Sequence, residues 1–496
     1  MPEAVTRATT VTTSPGLLAS LDPLLREWLP RQRWFAGKGR PVTKFSLVAA
    51  TELLPAGSRL GLLHLLVRAH QPSAQGTPTH PGDCYQLLIG VREVLPPRLA
   101  PALIGHVEQG PLAGRTVFEA LYDTRCADLL LEAIRTRARI GALRFERDAR
   151  QEIREELVPR VATAEQSNSS IIYGDTFILK LLRRIVPGMN PDLELPLALA
   201  REDCPRVPAP TGWLLADLTA DGTPAADGSG PGPGPGPGPG PGEEPYVLGV
   251  LQPFVRGATD GWELALRELA KGEDFAAEAR ALGRATAEVH TALARALPTV
   301  TLGHPQVRPL VDGMTERLEA TAQAVPALRP YVPALRSAFD ALGDLAAEGR
   351  TWTAQRIHGD LHLGQCLRAA SGTWSLIDFE GEPSKPLTER RLPQPVARDI
   401  AGMLRSFDYA AHSVPSAGAR VAAPRTGGGW ADACRAAYCT GYGEVAGVDP
   451  RTEPVLLRAY ETDKAVYEVL YEARHRPDWL PVPMAAVRRL AADAAP

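Results

Sequence analysis

The chain changes its apolar periodicity partway along, and that change limits the folds open to it more than any single motif does. In the first half, alternating or continuous apolar runs at 45–54, 60–69, 85–91, 171–173, 177–179 and 246–251 have the length and pattern of strands. An amphipathic segment at 17–29, ended by Pro30, and a second pattern at 121–138 are the helices of that half. From about residue 262 the sequence turns rich in Ala, Leu, Arg and Glu. Helical spacing then recurs at roughly 262–271, 273–297, 309–322, 331–348, 395–412, 429–445, 453–475 and 483–494. Sheet first and helices last predicts an α+β architecture with segregated halves.

At 496 residues the chain exceeds what one core supports, so two or three packed units are expected. Residues up to about 105 read as a small sheet-plus-helix unit. Residues 230–242 alternate Gly and Pro strictly, a stiff stretch with nothing to pack, and read as an extended surface spacer without chemistry. The net charge of -3, with no basic stripe, argues against a nucleic-acid partner. Six scattered cysteines, without metal-ligand spacing, read as reduced thiols. The polar, Thr-rich start has no hydrophobic signal core, and no apolar run is long enough to span a bilayer. A cytoplasmic location without membrane contact is expected.

The stretch RIHGDLHLGQCLRAASGTWSLIDFEGEP (356–383) carries the chemistry. Phosphoryl transfer from ATP needs a carboxylate at the attacking hydroxyl, oxygen ligands for Mg²⁺ and a cation near the phosphates. Protein kinases supply the first two from H-R-D, an Asn five residues on, and a later D-F-G. Here His358-Gly359-Asp360 precedes Gln365 by five, and Asp378-Phe379-Glu380 follows a short hairpin. Asp360 is therefore the candidate catalytic base or orienting carboxylate. Gln365 and Asp378 are the candidate Mg²⁺ ligands, since that hard cation prefers oxygen. His362 either faces the acceptor or braces the loop.

Lys180 ends the strand at 177–179, where a kinase-like sheet keeps its phosphate lysine. Glu194, in NPDLELPLALA (190–200), is the predicted partner carboxylate, on a helix or an extended turn. The turn Gln166-Ser167-Asn168-Ser169 stands where a phosphate-cradling loop belongs, with small hydroxyl and amide groups in place of G-x-G-x-x-G. Ser167, Asn168 and Ser169 are thus candidate ATP contacts. Gln252 and Phe254, in Leu251-Gln252-Pro253-Phe254, sit either in a hinge at the adenine edge or in a plain linker.

HGDLHLGQ (358–365) with IDFEGEP (377–383) resembles the aminoglycoside-phosphotransferase-like kinases of small molecules. Other segments resemble the maltokinases, which make maltose 1-phosphate from maltose and ATP. They are QRWFAGKGR (32–40), EQSNSS (165–170), FILKLLRRIVPGMNPDLEL (177–195), LQPFVRGATDGWELA (251–265), RDIAGMLRSFDYAA (398–411) and DKAVYEVLYEARHRPDWL (463–480). The resemblance covers nearly the whole chain, and only the Gly-Pro insert departs from it notably. It implies a bilobal protein-kinase-like fold: an N-terminal cap (1–105), an ATP-side sheet lobe (106–254) and a helical C-terminal lobe (255–496). It also implies ATP and Mg²⁺ as cofactors, maltose as acceptor and a place in a trehalose-to-α-glucan route, with possible association with enzymes of that metabolism. Glucosamine or an aminoglycoside is the alternative acceptor. An inactive kinase-like binding module is the alternative of another class, and Asp360, Asp378 and Lys180 all stand against it.

For the sugar, Lys464, Tyr467 (or Glu468) and Tyr471 recur at spacings of three and four, so they share one helical face. That stripe offers charged hydrogen-bond partners and aromatic surface. Trp479 either walls the pocket or packs at the C-terminus, and Arg33, Trp34, Phe35 and Lys38 are read as docking the cap.

Overall fold

The computed structural model describes residues 16–72, 82–162, 167–218, 245–383, 385–413 and 427–492. The Gly-Pro repeat and Gln166 lie outside these. Packing divides the chain into two units, Met1–Leu193 with Pro210–Phe254, and Glu194–Ala209 with Val255–Pro496.

The first unit holds two sheets. Helix α1 (Leu17–Trp28) lies on β1 (Lys44–Leu54), β2 (Gly61–His70), β3 (Asp83–Arg92), β4 (Leu103–His106) and β5 (Thr116–Glu119), in the order β1-β2-β3-β5-β4. Leu17, Leu21 and Leu25 recur every four residues, so they form one apolar face that packs with Leu63, Leu65 and Val67 of β2. Each fully buried leucine contributes roughly 1.5–3 kcal/mol. The other face of β2 is buried as well, which explains its unbroken apolar run. There His64 bonds Gln86 at 2.9 Å, and Gln86 Nε2 donates to the carbonyls of Leu182 and Leu248 at 2.7 and 2.8 Å, tying the first sheet to the second.

The second sheet follows α2 (Thr124–Thr136). Its strands are β6 (Arg139–Ile140), β7 (Leu143–Arg147), β8 (Pro159–Val161), β9 (Asn168–Tyr173) and β10 (Phe177–Leu182). After β11 (Arg184–Ile185), which returns to pair with β3, and α3 (Pro191–Arg201), the sheet is completed by β12 (Gly212–Ala216) and β13 (Tyr246–Pro253). The order is β6-β7-β12-β13-β10-β9-β8. The predicted hairpin is β9–β10, turned by Gly174 and Asp175 at φ 51° and 49°. The segment read as helix or extended turn is helix α3. The short strands β4, β5, β7 and β12 are not among the expected runs, although β7 alternates, with Leu143 and Phe145 buried and a polar residue after each.

The second unit is mostly helical: α4 (Gly261–Lys271), α5 (Ala276–Ala296), α6 (His304–Ala324), α7 (Val332–Ala347), the single turn α8 (Leu387–Arg390), α9 (Ala397–Ser413), α10 (Gly427–Ala446), α11 (Pro454–His475) and α12 (Pro481–Ala492). Its strands are β14 (Thr259–Asp260), β15 (Val300–Leu302), β16 (Trp352–Ala354), β17 (Cys366–Arg368) and β18 (Trp374–Leu376), forming a three-stranded sheet, β14-β17-β18, and a pair, β15-β16. Helices α5 and α10 approach so closely that a Cβ on Gly441 would lie 2.0 Å from the Arg280 carbonyl oxygen. All six cysteines are free. Among the described residues no helix is long and apolar enough to cross a membrane.

Candidate active site

Strand register sorts the predicted ATP contacts of the first unit. Lys180 pairs with Ser170, Leu182 with Asn168 and Ile178 with Gln252, so Asn168, Ser170 and Gln252 share the face of Lys180. Ser169 pairs with Leu181 and belongs to the reverse face, where its Oγ accepts from Arg183 Nε at 2.8 Å. The expectation for Ser169 is therefore corrected by strand parity, while Ser170, on the face of Lys180, is fully buried. Ser167 is exposed, and its Oγ accepts from Asn168 Nδ2 at 3.2 Å. Phe254 donates its N–H to the Thr176 carbonyl at 2.8 Å and lies under the Arg160 guanidinium, anchoring the end of β13.

Lys180 Nζ meets Asp192 Oδ2 at 2.8 Å, with Asp192 2% exposed. Asn190 Oδ1 accepts the Asp192 N–H at 2.9 Å and so fixes the start of α3. Glu194, the predicted partner, is corrected. Two residues along a helix rotate a side chain by about 200°, and Glu194 pairs instead with Arg356 Nη1 at 2.7 Å.

In the second unit, buried Asp399 organises the loop of Asp360. Its Oδ2 accepts the His358 N–H at 2.8 Å and its Oδ1 the Gly359 N–H at 2.9 Å. His290 Nε2 lies 3.1 Å from the same carboxylate, and His290 Nδ1 bonds the Tyr442 hydroxyl at 3.0 Å. Burial pushes the Asp399 carboxyl up, but His290 and the other partners outweigh it and hold the carboxyl below its ordinary value. Gly359 has φ 87°, and its Cβ position would meet Gly381 Cα at 3.2 Å, so a side chain there is strained by the backbone conformation and crowded by its neighbour.

His358 Nε2 donates to the Ile377 carbonyl at 2.9 Å, linking the loop to the end of β18. Asp378 follows with φ 65°, a left-handed conformation that costs a non-glycine residue about 1 kcal/mol or more. Gln365 Nε2 donates to Asp378 Oδ2 at 3.2 Å, so the two predicted metal ligands meet. Carboxylate oxygens of Asp378 and Glu380 lie within 4.8 Å of one another. Two carboxylates and an amide oxygen are a hard-oxygen donor set, which fits Mg²⁺. His362 braces the loop, with Nδ1 accepting the Gly364 N–H at 3.1 Å. Burial pushes its ring below the ordinary histidine value, with Asp360 partly opposing that shift.

Asp360 faces a cavity lined also by Arg317, Glu382, Lys385, Arg398, Asp399, Asp463, Lys464 and Tyr467. Lys464 Nζ donates to Asp360 Oδ1 at 3.2 Å and stands 5.2 Å over the Tyr467 ring. Burial pushes the Asp360 carboxyl up, but Lys464, His362 and His358 outweigh burial and hold it below its ordinary value. Of the predicted sugar face of α11, Lys464 and Tyr467 line this cavity. Tyr471 lies one turn on, outside the lining and 41% exposed. It is stacked on Tyr467 and covered by Arg476, whose guanidinium also lies over Trp479. Glu468 is corrected. It is buried, and its Oε2 accepts from Arg405 Nε and Nη2 at 2.8 and 2.6 Å.

Residues 28–123 match the maltokinase N-terminal cap domain. Glucosamine kinase of Mycolicibacterium smegmatis is 30% identical over 350 residues, 67% of this chain and 79% of that one. The chain belongs to the glucosamine kinase family. Glucosamine kinase of Streptacidiphilus jiangxiensis is 29% identical over 338 residues, 64% of this chain and 70% of its own. The solved structure titled as glucosamine kinase in complex with glucosamine, ADP and inorganic phosphate is 23% identical. It covers 94% of this chain and 98% of its own with a TM-score of 0.62, and so shares the fold. The α+β fold with an N-terminal sheet-plus-helix region is the one expected.

Sequence reading of this kinase missed Asp192, Asp399 and Glu380. Asp399 left a signal, as a carboxylate among the buried apolar residues of α9, where only a paired charge is tolerated. Glu380 stands inside the motif already singled out. Asp192 left none beyond its place two residues before Glu194. The N-terminal signature packs internally, with Trp34 and Phe35 against Tyr85 at 5.8 and 5.2 Å, and the Arg183 guanidinium 4.9 Å from the Trp34 ring.

Proposed function

We propose that this kinase uses ATP and Mg²⁺ to convert maltose to maltose 1-phosphate in the cytoplasm, on a trehalose-to-α-glucan route. One observation supports a neutral acceptor above the others: each carboxylate lining the cavity at Asp360 already has a partner. Asp360 has Lys464, Glu382 has Arg398 at 3.1 Å, Asp463 has Arg317 at 2.8 Å, and Asp399 has His290. An ammonium-bearing acceptor gains most beside an unmatched carboxylate, and loses where it is desolvated among cations. A neutral polyol needs only hydrogen bonds, which these charged groups supply. The cap-domain match and the segments at 32–40, 398–411 and 463–480 favour maltose within that class. The curated relatives are glucosamine kinases, which makes glucosamine the second reading.

In this mechanism Asp360, kept ionised by Lys464, orients the acceptor hydroxyl and takes its proton. Lys180, held by Asp192, presents its ammonium to the phosphates, with Asn168 and Ser170 on the same strand face. Gln365, Asp378 and Glu380 would hold Mg²⁺, which when bound neutralises phosphate charge. ADP release across maltose, glucose, glucosamine, maltotriose and kanamycin, with and without Mg²⁺, tests the proposal. Maltose should give the highest kcat/KM, and chelation should abolish it. Faster turnover of glucosamine would replace the acceptor.

A further inference from the structure

Lys385 is the lining cation that the charge pairing leaves over. Lys464, Arg398 and Arg317 are each engaged by a carboxylate, as given above. Among the described residues the Lys385 ammonium has no hydrogen-bond or ion-pair partner. Its backbone is held in place, the Lys385 N–H donating to the Glu382 carbonyl at 3.0 Å. The side chain is part-buried in the cavity wall, and burial, with Arg398 and Arg317 nearby, lowers its affinity for the proton, Glu382 and Asp463 partly opposing. The ammonium is not sealed from solvent, so water can accept from it until an acceptor oxygen displaces that water. The cavity at Asp360 is where an acceptor substrate would supply that oxygen.

We propose that Lys385 determines acceptor specificity: its ammonium donates to a ring hydroxyl of the sugar and repels an acceptor that carries its own ammonium. This rests on reading the cavity as the site of a neutral sugar, and it assigns that preference to one side chain. The repulsive element matters as much as the new hydrogen bond, because specificity is a difference between two affinities.

Glucose and glucosamine differ at one substituent, so the ratio of their kcat/KM values isolates the effect. In the parent enzyme glucose should exceed glucosamine. Lys385→Met should lower that ratio about tenfold and Lys385→Glu should lower it further, each with KM for ATP within twofold of the parent. Lys385→Arg should keep the parent ratio. Lys385→Gln gives the same readout as Lys385→Met should that variant fail to fold. A ratio that stays within twofold in the Met, Gln and Glu variants overturns the inference, as does an equal rise in KM for sugar and for ATP. A parent that releases ADP with no sugar defeats the proposed function instead. A parent that turns over sugars while its ratio ignores Lys385 defeats only this inference.

Discussion

Two lysine–aspartate pairs, one in each unit, use the same chemistry to opposite ends. Lys180 and Asp192 lie 2.8 Å apart, with side chains 15% and 2% exposed. Lys464 and Asp360 lie 3.2 Å apart, at 29% and 24%. In the first pair the aspartate is sealed and the lysine keeps the access, so the carboxylate aims the cation. In the second the carboxylate stays accessible to the cavity, and the lysine keeps it charged. A lysine beside an aspartate does not reveal which partner works. Exposure separates the first pair, whereas in the second both groups reach the cavity and the H-G-D motif singles out Asp360.

The largest effect should come from the accessible carboxylate. Asp360→Ala is expected to lower kcat by about 10³-fold or more, with ATP affinity within twofold of the parent. Retained turnover would remove Asp360 from the mechanism. Next, Asp192→Asn should lower kcat/KM for ATP by about 10²-fold, because the lysine loses the group that aims it. Glu194→Gln should leave that constant within about threefold. Equal losses in the two variants would restore Glu194 as the partner of Lys180.

Lys464→Ala should raise KM for the sugar about tenfold while sparing KM for ATP, and its pH profile sharpens the comparison. In the parent, Asp360 is held below its ordinary value, so kcat/KM should stay level as pH falls through the usual carboxylate range and drop only beneath it. The stability contributed by this depressed group is present above its unfolded pKa of about 3.9 and is lost as pH falls through the folded value. Without Lys464, burial is left with less opposition, and the acid limb should move toward neutrality. An unmoved limb would mean that Lys464 does not hold the proton off Asp360. The smallest kinetic effect belongs to Glu468→Gln, which should cost about 1.5–3 kcal/mol of stability by removing the charge that Arg405 Nε and Nη2 face, with Asp408 still accepting from its Nη1 at 2.7 Å. Its KM for sugar should stay within twofold, and a tenfold rise without a lower Tm would return Glu468 to the sugar site.

Much of this molecule was legible before any contact was known. Apolar runs of period two and stripes of period near four placed the β9–β10 hairpin and most of the long helices, because both patterns are local consequences of backbone geometry. The spacing of Asp360, Gln365 and Asp378 was equally local, and Gln365 and Asp378 do meet. What remained hidden was orientation and distant pairing. Whether Ser169 or Ser170 accompanies Lys180 depends on strand register, and a shift of one residue reverses the face. Whether Asp192 or Glu194 holds Lys180 depends on the phase of α3. Lys464 reaches Asp360 across 104 positions, and Arg405 claims Glu468 across 63. The sequence by itself determined the elements and the chemical kinds of group available. Tertiary structure alone decided which charges meet and which partner stays accessible, since a Coulombic pairing depends on distance through space and carries no periodic trace along the chain.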